Sequence, residues 1–443
     1  MKIQLSDHFT YHKLLRFTLP SVVMMVFTSI YGVVDGLFVS NFVGKTPFAA
    51  INLIMPFIMI LGGFGFMIGT GGSALVARTL GAGKPEKANR YFTMMIILTL
   101  ILGVGLSVAG ILFLRPISRL LGATDAMLGD CIAYGRAVLL FNTAFMLQNV
   151  FQSFLVTAGK PRLGLLATVA AGVTNMLLDA LFIAVFHWGV TGAAVATGLS
   201  QCVGGVLPLF YFLRPNQSLL RLTKTNLEGR ALLRACANGS SELLTNISSS
   251  LVSVVYNLQL IRFAGENGVA AYGVLMYVQF IFAAIFIGYA IGSAPIIGYH
   301  YGAGNHLELK SMLRKSLLLM GGSGAFLALL AQLLATPLAR LFVGYDAQLF
   351  QLTVHAFRLF SFSFVLAGFN VFASSFFTAL SNGGVSAAIS FLRTLVFQLL
   401  SVLLLPVFFG VDGIWWAITV AEGFAFLIGG IFLFAERKRY HYF

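Results

Sequence analysis

Residues 77–90, ARTLGAGKPEKANR, and residues 298–310, GYHYGAGNHLELK, carry the same turn, Gly81-Ala82-Gly83 and Gly302-Ala303-Gly304, at a spacing of 221 residues. The same shift lays Phe42 on Phe263, Gly44 on Gly265, Ala49-Ala50 on Ala270-Ala271, Pro116 on Pro337 and Arg119 on Arg340. It continues with Asp125 on Asp346, Asn149 on Asn370, Phe151 on Phe372, and Gly189-Val190-x-Gly192 on Gly410-Val411-x-Gly413. One gapless offset across so much of a half-chain is the mark of an internal duplication, and the repeat sets the architecture.

What is duplicated follows from composition. The chain has 443 residues, 58% of them hydrophobic and only 9% charged, where a soluble domain carries about 25% charged residues. Runs of about 20 apolar residues cross a bilayer as helices, and twelve are expected, near 14–43, 47–77, 92–114, 129–157, 163–186, 190–213, 233–261, 268–298, 316–335, 349–379, 384–408 and 411–435. The first is too long for a signal-peptide core and is expected to stay attached. Six spans per half is an even number, so the two copies point the same way and relate by an axis along the membrane normal. The expectation is an all-α integral membrane protein of two six-helix lobes with a cavity between them. Residues 1–213 form the first lobe, 214–232 a polar basic linker and 233–443 the second lobe.

Lys and Arg collect on one side of such a protein. Of the 28 present, 20 lie in the N-terminus, the C-terminus and the connections after even-numbered spans, against Lys45, Arg115, Arg119, Arg262 and Arg340 on the other side. Both termini are therefore expected in the cytoplasm, at the plasma (inner) membrane. The net charge of +14 suits an anionic leaflet, and membrane lipid rather than nucleic acid is the expected partner. Cys131, Cys202 and Cys236 have no metal-ligand spacing and read as small apolar residues. No cofactor motif is present: Gly62-Gly63 and Gly71-Gly72 follow no strand and precede no phosphate-loop lysine.

Residues shared by the halves mostly explain the fold, so function is sought where the copies diverge. Asp35, in SIYGVVDGLFVSNFVG (29–44), maps onto Tyr256; Asn175 and Asp179, in VTNMLLDALF, map onto Val396 and Leu400. A carboxylate at hydrocarbon depth costs about 3 kcal/mol on insertion scales and usually faces a partner or a water-filled path. Asn175 and Asp179 are four residues apart and share a helix face. Thr197 lies on the next span. Two carboxylates, an amide and a hydroxyl offer only oxygen-rich partners, which suits a proton or a hard cation such as Na⁺. The two carboxylates, if close, would share a proton. An interhelical hydrogen-bond cluster fixing spans 1, 5 and 6 fits the same spacing.

In the second half, Glu422 has Arg393 on the neighbouring span, which points to an internal ion pair. Glu242 has no evident basic partner and reads as either a second proton site or an interfacial residue. Asn149, Gln152 and Ser153, with Asn370 and Ser374, place polar groups at matching positions in both halves. They line the cavity or act as helix-packing contacts. The seven histidines lack zinc-ligand spacing.

With two six-span halves, Tyr31-x-x-x-Asp35, the Gly81-x-Gly83 loop, Asn175-x-x-x-Asp179 and the Gly-Val-x-Gly turns, the chain resembles the multidrug and toxic compound extrusion (MATE) transporters over essentially its whole length. The resemblance implies a V-shaped antiporter, not an enzyme, that exports organic, often cationic or amphipathic compounds against entry of Na⁺ or H⁺. It carries the cation site of one branch onto Asp35, Asn175, Asp179 and Thr197. Another branch adds a span-7 Glu and a span-10 Asp; Glu242 corresponds to the first without its usual preceding Pro, and span 10 has no carboxylate. Tyr31, Asn149, Gln152 and Asn370 are the candidate substrate-cavity residues, and a monomer suffices. A flippase for lipid-linked saccharides would need a basic cavity, and only Arg136, Arg358 and Arg393 stand near the spans. A membrane transferase would need a His/Asp or metal constellation, which the scattered histidines do not supply.

Overall fold

The computed structural model describes residues 3–442, apart from the side chains of Ser40, Asn41 and Lys45. Lys2 and the Lys45 side chain, both used in the charge count, lie outside the described residues. Among the described residues the chain is helical and threads twelve spans. Spans 1 to 3 are Tyr11–Phe42, Lys45–Gly81 and Pro85–Leu120. Span 4 is a bent pair, Asp125–Leu140 and Asn142–Thr157. Span 5 is Pro161–Asp179 continued by a π-turn, Ala180–Val185, and span 6 is Gly189–Leu213. Spans 7 and 8 run together as Gly229–Gly302 but are parted at Gly265, whose φ of 64° and ψ of −155° are not helical. Span 9 is His306–Val343, and span 10 is again a bent pair, Ala347–Phe360 and Ser363–Ala379. Span 11 is Gly383–Phe391, a π-turn Leu392–Phe397 and Gln398–Phe409; span 12 is Val411–Ala435, followed by a short helix, Arg437–Tyr440.

Local chemistry sets the ends of these helices. Thr10 caps span 1 by accepting from the Lys13 amide, Pro85 and Pro161 occupy the first helical turn, and Asp346 accepts from Gln348 and Leu349. The turns themselves are duplicated. Gly44, Gly83 and Gly189 have φ of 107°, 71° and 58°; their partners Gly265, Gly304 and Gly410 have 64°, 68° and 58°. Only glycine enters this left-handed region without strain, which is why these letters persist in both copies.

Several helices are longer than the sequence spacing predicts. Span 9 has 38 residues, about 57 Å at 1.5 Å per residue, against a hydrocarbon core of about 30 Å. Spans 4 and 10, expected as single runs, bend by 53° and 48°. Neither bend holds a Pro or Gly. In the first half the break falls at Phe141, whose ring fills the space a Cβ would need at Gly198 on span 6, so packing against a neighbour fixes the kink.

The lobes meet along spans 1 and 2 on one side and spans 7 and 8 on the other, and the contacts obey the repeat. Gly81 packs on the Tyr299 carbonyl, and its copy Gly302 packs on the carbonyl of Arg78, the copy of Tyr299. Gly71 meets Ala235 and Gly239; its copy Gly292 meets Thr18, the copy of Gly239. Gly288 lies on Ser21 and Val22. Any side chain at these glycines would collide with the opposing backbone, so the seal is backbone on backbone. All these contacts lie in the half of the molecule that carries both chain ends. Toward the other face, Gly32, Gly36 and Gly273 have open space where a Cβ would stand.

Both chain ends dock on the second lobe at that sealed face. Leu5 and Phe9 are fully buried in its core. Glu308 accepts from the Phe9 amide at 2.9 Å and meets His8 Nδ1 at 2.6 Å, while Lys315 Nζ donates to the Phe9 carbonyl. Tyr440 packs edge-on with Tyr301, and the Arg78 guanidinium lies over the Tyr301 ring. Between spans 6 and 7 the chain lies across the ends of spans 3 and 4: Arg221 donates its amide to Asn89 Oδ1, and Leu219 donates to the Ala158 carbonyl.

Candidate functional site

Span 1 leans both ways. Its first half rests on span 8 through Thr18 and Val22, and its second half rests on span 5, where Gly172 admits the rings of Phe27 and Tyr31. One turn beyond Tyr31, that packing brings Asp35 against Asn175 and Asp179. Asn175 is 1% exposed and Asp179 fully buried. The two carboxyls interact directly, yet neither oxygen of Asp179 has a hydrogen-bond partner among the described residues; Asp35 Oδ1, Asn175 Oδ1 and Thr197 Oγ1 are likewise buried and unpartnered.

Five unpartnered oxygens from three adjacent spans are costly in a medium that offers no water. All five are acceptors or hydroxyls, and the only charges among them are negative, so they fit a bound proton or a hard cation. The π-turn begins directly after Asp179; such turns recur at functional sites because they offset the helix register and free a backbone group.

Other predicted residues lie elsewhere. Tyr31 sits between Gln148 and Asp35. Asn149 is buried with its amide 3.5 Å from the Gly62 carbonyl, a contact between spans 4 and 2. Gln152 lies inside the first lobe in a crevice lined by Leu155, Gly164 and Gly204, its Oε1 unpartnered. Asn370 is buried and donates to Glu422 Oε2 at 2.6 Å and to the Glu422 carbonyl at 2.9 Å. These three stand within the lobes and are not brought to the Asp35 cluster. Arg393 grips Glu422 with a fork, Nε to both oxygens at 3.0 Å and Nη2 to Oε1 at 2.8 Å. Glu242 is partly exposed on span 7, and Arg393 is the charge it feels.

One neighbour of the cluster was missed by the sequence reading. Tyr134, on the first segment of span 4, is 2% exposed and close enough to interact with both Asp35 and Asp179. The divergence of the halves could have found it, since its copy is His355, which instead pairs with Asp412 at 2.8 Å. The π-turns left no signal in the letters at all.

The MatE family profile matches residues 20–181 and again residues 243–403, one match per half. The chain belongs to the MatE family. Similar proteins include the multidrug export protein MepA of Staphylococcus saprophyticus, 24% identical over 433 residues, covering 96% of this chain and 94% of that protein. MepA of Staphylococcus haemolyticus is 23% identical over 428 residues, with the same coverage. Among solved structures, an outward-facing multidrug resistance MATE family transporter of the MOP superfamily superposes with a TM-score of 0.92 at 26% identity over 99% of both chains. A MATE crystal structure in complex with MaL6 gives 0.91 at 25% identity, over 97% of this chain and 98% of the other. This MatE protein thus has the two-lobe transporter fold and is an integral membrane protein.

Proposed function

We propose that this MatE protein is a secondary antiporter that exports organic, cationic or amphipathic compounds in exchange for Na⁺ or H⁺. The observation that carries this reading is the set of unpartnered oxygens on Asp35, Asn175, Asp179 and Thr197. A buried pair of carboxylates with no basic residue beside it is unfavourable while both are charged, and an entering cation or proton removes the repulsion. Multidrug export by the staphylococcal relatives supplies the cargo class.

The units that move are residues 1–213 and 233–443, joined by 214–232. The Lys/Arg excess supports a cytoplasmic position for the sealed, terminus-bearing face, and in this reading the lobes part toward the outside. Cation entering from outside occupies the cluster and changes how the second half of span 1 sits on spans 5 and 6. Export needs drug and cation to favour opposite states, because a ligand shifts an equilibrium only by its differential affinity. Tyr31, at the edge of the cluster, is placed to sense both. A monomer contains all of these parts.

Purified protein in liposomes, loaded with a fluorescent cation such as ethidium and exposed to a Na⁺ gradient and then a pH gradient, tests the reading. Transport driven by one gradient and lost in Asp35→Asn is expected. Transport indifferent to both gradients in folded protein overturns it.

A further inference from the structure

The turn between spans 4 and 5, the end of span 6 and the start of the linker meet around an open crevice of about 670 Å³ on the terminus-bearing face. Two basic side chains stand in its wall: Lys160 from the turn, and Arg214 from the first position after span 6. Asn216 and Gln217 of the linker lie beside them. The remaining side is apolar, formed by Leu207 and Phe210 on the last two turns of span 6, both more than half exposed. In a bilayer such side chains face acyl chains, so the crevice joins a cationic rim to the hydrocarbon edge. Hydrogen bonds fix that rim. Asn216 Nδ2 donates to the Arg214 carbonyl at 3.1 Å, Asn216 Oδ1 accepts from the Ser218 amide and hydroxyl, and Leu219 donates its amide to the Ala158 carbonyl.

What the rim lacks is negative charge. Lys160 and Arg214 take part in no ion pair among the described residues. From Cys131 to Leu227 the only acidic residue is Asp179, which ends the helix that Pro161 begins. The second lobe does not repeat this arrangement. Its turn reads Leu380-Ser381-Asn382, and Ala435 stands at the copy of Arg214. Of the basic residues that follow, Arg437 lies over the Phe434 ring and Arg439 pairs with Glu436 at 3.3 Å.

We propose that this crevice binds the headgroup of an anionic membrane phospholipid, its phosphate between Lys160 and Arg214 and an acyl chain along Leu207 and Phe210. A lysine point charge and an arginine fork together match a phosphodiester. Basic pockets between helix ends on the cytoplasmic side suit such headgroups. A soluble phosphate would use the two cations but leave the apolar wall in water, and that wall decides for a lipid. The bound lipid ties the start of the linker to the turn between spans 4 and 5. These residues are separate from the Asp35 cluster, so binding here is independent of the ion that drives transport.

Purified full-length protein in nonionic detergent is given dioleoylphosphatidylglycerol, dioleoylphosphatidylcholine or inorganic phosphate. Native mass spectrometry counts the lipid retained per chain, and thermal unfolding is read in parallel to show that each variant is folded. Phosphatidylglycerol should be held in preference to phosphatidylcholine, and excess inorganic phosphate should not displace it. Lys160→Gln/Arg214→Gln should weaken the retention by roughly thirtyfold, and each single variant by about fivefold; the single variants carry the test where the double one does not fold. Arg162→Gln/Arg221→Gln removes two nearby charges outside the crevice and should leave retention unchanged. Phe210→Ser should weaken it while both cations remain. Equal loss in the two double variants would mean diffuse attraction of anionic lipid to a basic face. Equal retention of phosphatidylcholine would mean no recognition of the phosphate's charge, and displacement by inorganic phosphate would make the ligand a soluble anion. Each of these three results overturns the proposal.

Discussion

At the scale of single residues, the divergence between the two halves located chemistry that similarity could not. Asp35, Asn175 and Asp179 were legible because each breaks the 221-residue repeat with a polar group in an apolar run, and Thr197 because it lies on the next span; five oxygens of this set are buried without partners among the described residues. Asn175→Ala should weaken coupling-ion binding by roughly tenfold, the size of one hydrogen bond to a charged site, read as a shift in the ion dependence of ethidium transport with folding unchanged. The Arg393–Glu422 pair, with side chains 18% and 3% exposed, calls for a different pattern. Arg393→Ala strands a buried carboxylate and should cost about 3–5 kcal/mol, whereas Arg393→Met with Glu422→Met should be neutral or more stable. Thermal unfolding in detergent measures both, and equal losses in the single and double variants would contradict the account. Asn149, Gln152 and Asn370 were harder to read, because a polar side chain that joins two helices and one that lines a cavity look alike in a sequence; only the direction of the side chain separates them.

Helices and turns are the next scale, and here the glycines decide. Gly81 and Gly302 close on the backbones of Tyr299 and Arg78, so Gly81→Val and Gly302→Val should hold the lobes apart on the sealed face. Spin labels at Glu86 and Lys310, at the ends of spans 2–3 and 8–9, should report a longer distance in both variants, and an unchanged distance would show that the seal tolerates side chains. Gly265→Ala should lower stability by about 1–3 kcal/mol, the cost of a Cβ in a backbone region that essentially only glycine enters, measured by thermal unfolding. The N-terminal segment is fastened at Glu308 and Lys315. Glu308→Gln should loosen it, seen as faster amide exchange at Phe9. The boundaries of these elements were mostly readable from Gly, Pro and charge. The bends in spans 4 and 10 and the two π-turns were not, since none of them has a Pro or Gly at the break and each is settled by what the helix packs against.

For the whole molecule, the reciprocal glycine contacts show that the lobes meet as a near-symmetric pair, with span 1 shared between them. A short cleavable cross-link tying the end of span 2 to the end of span 8, beside Gly81 and Gly302, should therefore stop transport and release it on cleavage, whichever ion drives the cycle. Transport that continues at full rate with the lobes tied would remove alternating access from the account.

The sequence by itself determined the class of the protein, its twelve crossings, its duplication and the identity of the first-lobe polar set. These depend on composition, on hydrophobic run length and on the offset between copies, all of which are properties of the linear chain. The Arg393–Glu422 ion pair was also legible in the letters. Only the tertiary structure decided which face is sealed, that both chain ends lock onto the second lobe, that Tyr134 lies near the carboxylate pair, and that Asn370 bonds to the same Glu422 as Arg393. Each of these depends on which helix faces bear on one another, and in an apolar environment where nearly every face is hydrophobic the letters carry little record of that choice; small residues, backbone contacts and the bends that packing imposes make it instead.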